Sequence, residues 1–195
     1  MRDAEATKEA IITTAAALFN RQGYKATSIS DITKELGMTK GAIYRHFKSK
    51  SVLEAEALIY MSKAIERALV NKIREAPDVK GKIEAIFDYF EDYASNMFYK
   101  SGCPLLNAAV EVDDTNPPLK KLTNKIMQNL LVSIERVLNN GIEHGQLKAI
   151  NPTAFSTVIF TSLEGAIMMT KITDDPSHMT YVVNNLRKQF KEMLI

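Results

Sequence analysis

Residues 39–50 read TKGAIYRHFKSK. Lys40, Arg45, Lys48 and Lys50 concentrate positive charge there, and Tyr44 and His46 add hydrogen-bonding side chains. Such a set lacks a nucleophile paired with a base, so its chemistry is non-covalent recognition of an anionic, hydrogen-bonding surface. Arg45 and Lys40 have the donors that suit guanine O6 and N7, and the Ala42 methyl suits the methyl of thymine. Gly41 and Ala42 keep the surface low enough for close approach.

Other reactive side chains form no comparable group. His46, His144 and His178 are far apart in the chain, with no pair at the i, i+4 spacing that holds a metal on a helix. Cys103 is the single cysteine and reads as a small buried thiol. Glu91-Asp92 and Asp113-Asp114 read as exposed acidic surface, and no glycine-rich phosphate loop is present. The expectation is no enzyme, no metal and no cofactor.

The basic set needs a rigid support, and the flanking sequence has one. In TSISDITKELGMTKGAIYRHFKSKSVL (Thr27–Leu53), Ile29, Ile32 and Leu36 recur on one helical face. Ser28 stands at the N-cap position with Asp31 three residues on, as in a capping box. Gly37 follows as the left-handed C-terminal residue. Thr39 caps a second short helix whose Ala42, Ile43 and Phe47 face the first. Two helices joined by a short glycine-containing turn, the second with a basic face, form a helix-turn-helix pattern.

The surrounding residues sharpen this. Ala16, Leu18, Phe19, Gly23, Tyr24, Thr27, Ile32, Gly37, Gly41, Tyr44, His46, Phe47, Lys50 and Leu53, in this order and spacing, resemble the N-terminal domain of TetR-family transcriptional regulators. The resemblance implies phosphate contacts from Thr27, Tyr44, His46 and Lys50. It also places the segment from Thr39 to Arg45 in the major groove. The DNA-contact set expected is Thr27, Ser28, Thr39, Lys40, Gly41, Ala42, Tyr44, Arg45, His46 and Lys50.

Charge distribution agrees. The 195-residue chain has a net charge of only +2, yet residues 1–50 carry nine Lys and Arg against five Asp and Glu. Positive excess thus lies with the motif, as a phosphate-facing segment requires. A single cysteine excludes an internal disulfide and fits a reducing cytoplasm. The polar N-terminus MRDAEATKEA reads as no signal peptide, and no apolar run reads as a bilayer span.

Helical periodicity continues along the chain, with no strand pattern and no repeat. It predicts helices over 4–22, 51–75, 79–100, 104–112, 119–144, 152–172 and 177–194 beside the two of the motif. The fold class is therefore all-α, with an N-terminal three-helix domain over residues 1–50 and a helical effector-binding and dimerisation domain over 51–195. The span 79–100 is rich in aromatics on arcs wider than one core stripe needs, and in TetR-like regulators this region lines an effector pocket. The lining expected is Phe87, Phe90, Tyr93, Met97, Leu106, Asn107, Met127 and Leu131, with Tyr93 and Asn107 as polar handles. These walls suit a neutral or weakly charged small molecule.

Helix 152–172 is apolar nearly all round and so must be covered on more than one side. Phe155, Ile159, Ser162, Gly165, Ala166 and Ile167 on it, with Met179, Val183, Leu186 and Phe190 on the last helix, are the expected homodimer contacts. The functional expectation is a DNA-binding repressor released from a palindromic operator by a small molecule. A helical ligand carrier or interaction module that no longer binds DNA is the alternative.

Overall fold

The computed structural model describes residues 2–95, 101–112 and 116–195. Among these the chain forms α1 (Arg2–Gln22), α2 (Ile29–Leu36), α3 (Lys40–His46), α4 (Lys50–Glu75), α5 (Val79–Ser95), α6 (Pro104–Glu111), α7 (Pro117–Glu143), α8 (Pro152–Thr173) and α9 (Ser177–Met193). No strand occurs among the described residues; one isolated antiparallel bridge joins Leu147 to Leu194. The all-α class and the helix order expected from periodicity are observed. Met97 and the Asp113-Asp114 pair lie outside the described residues.

The chain packs as two compact units, Met1–Ala64 with Pro104–Ile126, and Ile65–Cys103 with Met127–Ile195. This division differs from a boundary at residue 50. Helix α6 and the first part of α7 belong to the N-terminal unit, a long-range association that local periodicity does not encode.

In the N-terminal unit one core joins α1, α2, α3, α6 and the first turns of α4 and α7. Ile11, Ala15, Phe19, Ile32, Ile43, Phe47, Leu53 and Leu58 are buried in it, beside Ala108 and Leu119. Phe19 stacks on Tyr24 with ring centroids 5.1 Å apart. Gly23 ends α1 at φ +94°, and a Cβ there would sit 2.7 Å from Glu111 Oε1. Glycine is thus required both by the backbone conformation and by the close approach of a side chain.

In the C-terminal unit, α8 and α9 pack along their length and both meet α5. Ile83 and Phe87 of α5, Leu138 of α7, Ile159 and Leu163 of α8, and Val183 and Phe190 of α9 are buried. Phe155 stacks against Phe190 at 6.4 Å. Arg187 of α9 spans three carboxylates of α5. Its Nε donates to Glu84 at 2.8 Å, Nη1 to Glu91 at 2.7 Å, and Nη2 to Asp88. These bonds hold Arg187 more firmly protonated, although its partial burial opposes this. By length and composition alone α8 could cross a membrane, contrary to the expectation that no run is long enough. Its packed face against α9, and Glu164 and Lys171 within it, are the marks of a core helix.

Candidate DNA-binding site

The basic helix α3 is only seven residues long, so its placement depends on its ends. Upstream, the capping box forms as expected. Ser28 Oγ accepts from the Asp31 backbone N–H at 3.2 Å, and Asp31 Oδ2 accepts from the Ser28 backbone N–H at 2.8 Å. Hydrogen bonds from the Ser28 hydroxyl and backbone hold the Asp31 carboxyl below the usual carboxylate range. Gly37 closes α2 at φ +63°. Thr39 Oγ1 then accepts from the Ala42 backbone N–H at 3.2 Å, starting α3.

Burial sets the rotation of α3. Ile43 and Phe47 are fully inside, so Lys40, Gly41, Tyr44 and Arg45 share the opposite, exposed face. Lys48 follows on that side and is also exposed. Tyr44 is half exposed on this face. Ala42 and His46 lie half-buried at the flank. Lys8 reaches Glu56 at 2.9 Å and sits 5.6 Å from the Phe47 ring centre, tying α1 and α4 around the end of α3.

Gly41 needs no glycine for the fold. Its φ is ordinary, and an added Cβ would meet only Thr39 Oγ1 at 3.9 Å, an ordinary contact. Small size at an exposed position without internal need is what close approach of an external surface requires.

Two residues of the expected set are engaged within the chain. Thr27 is completely buried, and its hydroxyl donates to the Gly23 carbonyl at 2.7 Å. It closes the connector from α1 to α2 and presents no side-chain atom to a phosphate. Lys50 turns inward: its Nζ donates to the Tyr24 carbonyl at 2.6 Å and lies 3.4 Å from Glu54 Oε1. Glu54, itself buried, also accepts from Asn116 Nδ2 at 3.0 Å. Ser28 and Thr39 are exposed and keep their hydroxyls on the caps. Lys48, which the expected set omitted, takes the outward position.

Other expected residues are placed as follows. Phe87 is fully buried and Phe90 half-buried in the C-terminal unit, where Tyr93 donates from its hydroxyl to the Gly102 carbonyl at 3.2 Å. Met127 and Leu131 are half-buried in the same unit. Leu106 and Asn107 belong to the N-terminal unit. Asn107 is not a free polar handle: its amide donates to the Asn20 side-chain oxygen at 2.8 Å and backbone oxygen at 3.2 Å. One turn on, Glu111 Oε2 accepts from the Lys25 backbone N–H at 3.0 Å. Together they seat α6 on the end of α1 and its connector, which sequence spacing does not reveal.

Of the expected dimer contacts, Phe155, Ile159, Ala166, Ile167, Met179, Val183, Leu186 and Phe190 are already buried within one chain. They lie in the C-terminal unit, where α8 and α9 pack together. Ser162 and Gly165 are half-buried, at the edge of the outward face of α8. That face carries Val158, Met168, Met169 and Ile172, all exposed.

Comparison with known proteins decides the family. Residues 11–57 match the bacterial regulatory proteins of the tetR family, and residues 80–186 match the tetracyclin repressor-like C-terminal domain. The chain belongs to the TetR family of DNA-binding transcriptional regulators. A crystal structure of a TetR transcriptional regulator from Chloroflexus aurantiacus is similar throughout. Its TM-score is 0.94 and its identity 31%, with 100% of this chain and 98% of that one covered. The HTH-type transcriptional regulator YxaF of Bacillus subtilis is 28% identical over 185 residues, which are 92% of this chain and 93% of YxaF. Escherichia coli NemR, in its reduced form, shares the fold at TM-score 0.85 and 20% identity, covering 97% of each chain. This TetR-family regulator thus has its α2–turn–α3 segment within the first of the two matched regions. The family describes a regulator rather than an enzyme.

Proposed function

We propose that this chain is a homodimeric repressor that releases a palindromic operator when a small molecule binds its C-terminal part. DNA contact is assigned to residues 1–50, and effector binding and dimerisation to 51–195. The observation that carries the reading is the exposed face Lys40, Gly41, Tyr44, Arg45, extended by Lys48, with room beside Gly41 that the fold itself does not use. Lys40 and Arg45 read base edges, while Tyr44, His46 and Lys48 hold phosphates and set the register. Among relatives, DhaR of Mycobacterium sp. is named a transcriptional repressor and is 23% identical over 158 residues, covering 80% of this chain and 77% of DhaR. That name supports repression over activation.

The dimer reading rests on the outward row Val158, Thr161, Gly165, Met168, Met169 and Ile172 of α8. This contiguous apolar strip, with Gly165 at its middle, suits a second copy of the same helix related by a two-fold axis. Two-fold symmetry in the protein calls for a palindromic site in the DNA. The effector reading rests on Phe90, Tyr93, Met127 and Leu131, a mostly apolar set with few polar atoms. A ligand that fits one arrangement of the dimer shifts the population toward it, and DNA and ligand then weaken each other by the same factor. A regulator of this kind works in the cytoplasm.

Selection of bound fragments from random DNA tests the reading. The expected result is an enriched palindrome, protected in two half-sites about one helical turn apart. Recovery of no sequence preference at low salt overturns it.

A further inference from the structure

Within α8, Glu164 is the sole carboxylate, and its residue is only 8% exposed. Its Oε1 accepts from the Cys103 thiol at 3.1 Å, a weak donor. Its Oε2 is buried and has no hydrogen-bond partner. Neither protonation state is satisfied by the chain alone. An ionised carboxylate leaves the lone pairs of Oε2 unmatched; a carboxyl protonated on Oε2 leaves its O–H without an acceptor, and one protonated on Oε1 still leaves Oε2 unmatched. A buried carboxylate in this condition is costly, and a donor from outside removes the cost. If that donor is charged, it also neutralises the buried anion.

The surroundings favour an organic body on the donor. Cys103 follows Gly102, whose carbonyl holds the Tyr93 hydroxyl at 3.2 Å. The Tyr93 ring lies 6.2 Å from that of Phe90 and 6.1 Å from that of Tyr89, all in the same unit. Aromatic faces attract ammonium groups, and these rings belong to the same compact unit as Glu164. On the helix, Thr161 and Met168 lie one turn to either side of Glu164, at the edge of the row that the dimer reading assigns to a second copy. The side chain of Lys171, two turns on, passes beside Gly102.

We propose that Glu164 anchors the ammonium group of a small organic cation with an apolar or aromatic body. The proposal names the chemical class of the effector and so rests on the effector reading above. It replaces the neutral ligand that the sequence suggested, because a neutral apolar molecule leaves Oε2 as it is.

Titration calorimetry on the full chain without DNA tests it, with benzylammonium, benzyl alcohol and benzoate as probes. Benzylammonium should bind at least about tenfold more tightly than benzyl alcohol, as a charge-assisted hydrogen bond demands, and benzoate should not bind. Glu164→Gln should erase the difference between ammonium and alcohol. Cys103→Ala, which frees Oε1 as a second acceptor, should raise ammonium affinity and leave that for the alcohol unchanged. Equal affinity of the wild-type protein for ammonium and alcohol overturns the proposal whether or not either variant folds. So does a folded Glu164→Gln protein that retains the preference. Operator affinity is then measured with benzylammonium present. Binding through Glu164 that leaves DNA affinity unchanged refutes the effector role while the site itself stands.

Discussion

The Lys50 ammonium donates to the carbonyl oxygen of Tyr24 at 2.6 Å, joining the first turn of α4 to the connector that leads into α2. A lysine of the basic segment thereby helps to fix the motif. Its charge also offsets the buried Glu54, 3.4 Å away, which accepts from the Asn116 amide as well.

Lys50→Met keeps the alkyl stem and removes the charge. It should destabilise the protein by about 1.5–3 kcal/mol, toward the lower end because the ammonium is partly in water. Lys50→Met/Glu54→Gln should recover part of the loss, since the uncompensated carboxylate is gone. Denaturant unfolding of the two variants measures both effects. The salt dependence of DNA binding should be unchanged in Lys50→Met; a flatter slope would return Lys50 to the phosphate contacts.

Lys48 and Arg45 should separate in their effects. Lys48→Ala should weaken binding to all sequences and lower the slope of log affinity against log salt by about 0.9. Arg45→Ala should cost about 1–3 kcal/mol on the preferred operator and less on sites altered at the base it reads. Binding isotherms on the selected operator and on single-base variants, at several salt concentrations, distinguish the two.

Gly41→Ala tests whether the space on α3 belongs to DNA. The added methyl meets nothing closer than 3.9 Å, and alanine is the better helix former. Thermal stability should therefore rise slightly, by about 0.5–1 kcal/mol. Operator affinity should fall at the same time. A variant that is stabilised and binds DNA normally would show that nothing approaches this surface.

The helices and their ends were legible because they rest on local chemistry. The Ser28–Asp31 box, the Gly37 turn and the Thr39 cap each need residues only a few positions apart, and all three form as expected. The inward turn of Lys50 and the burial of Thr27 depend on where Tyr24 and Gly23 fall in space, which periodicity does not contain. Asn107 was misread for the same reason: its partner, Asn20, is far away in sequence. On α8 the apolar pattern showed that two faces must be covered but not which one the chain covers itself. The lone carboxylate in that apolar helix, Glu164, was the available signal for a site, and its orphaned oxygen becomes visible only in three dimensions.

The two faces of α8 give opposite expectations for the same kind of substitution. Ile167 is buried in the seam with α9, so Ile167→Glu should place an unpaired charge in the core and abolish folding. Met168 is 47% exposed on the outward row, so Met168→Glu should fold and dissociate the dimer. Circular dichroism reports the fold and light scattering the mass. A folded, dimeric Met168→Glu protein would remove this face of α8 from the interface.

The last expectation concerns pH. Burial raises the Glu164 carboxyl above its ordinary value of 4.5, and the Cys103 thiol only partly opposes this. Between 4.5 and the raised native value, the folded chain holds a proton that the unfolded chain has released. Stability from this group is therefore fully present below 4.5 and is lost as pH rises through the native value, by at most about 1.4 kcal/mol per pH unit. Glu164→Gln is neutral throughout and keeps the shape of the protonated side chain. It should match the wild-type melting temperature in acid and exceed it by a margin that grows as pH rises above 4.5. Paired thermal melts across that range measure the margin. A constant or shrinking margin would mean that the carboxyl titrates normally and that its burial is relieved by water.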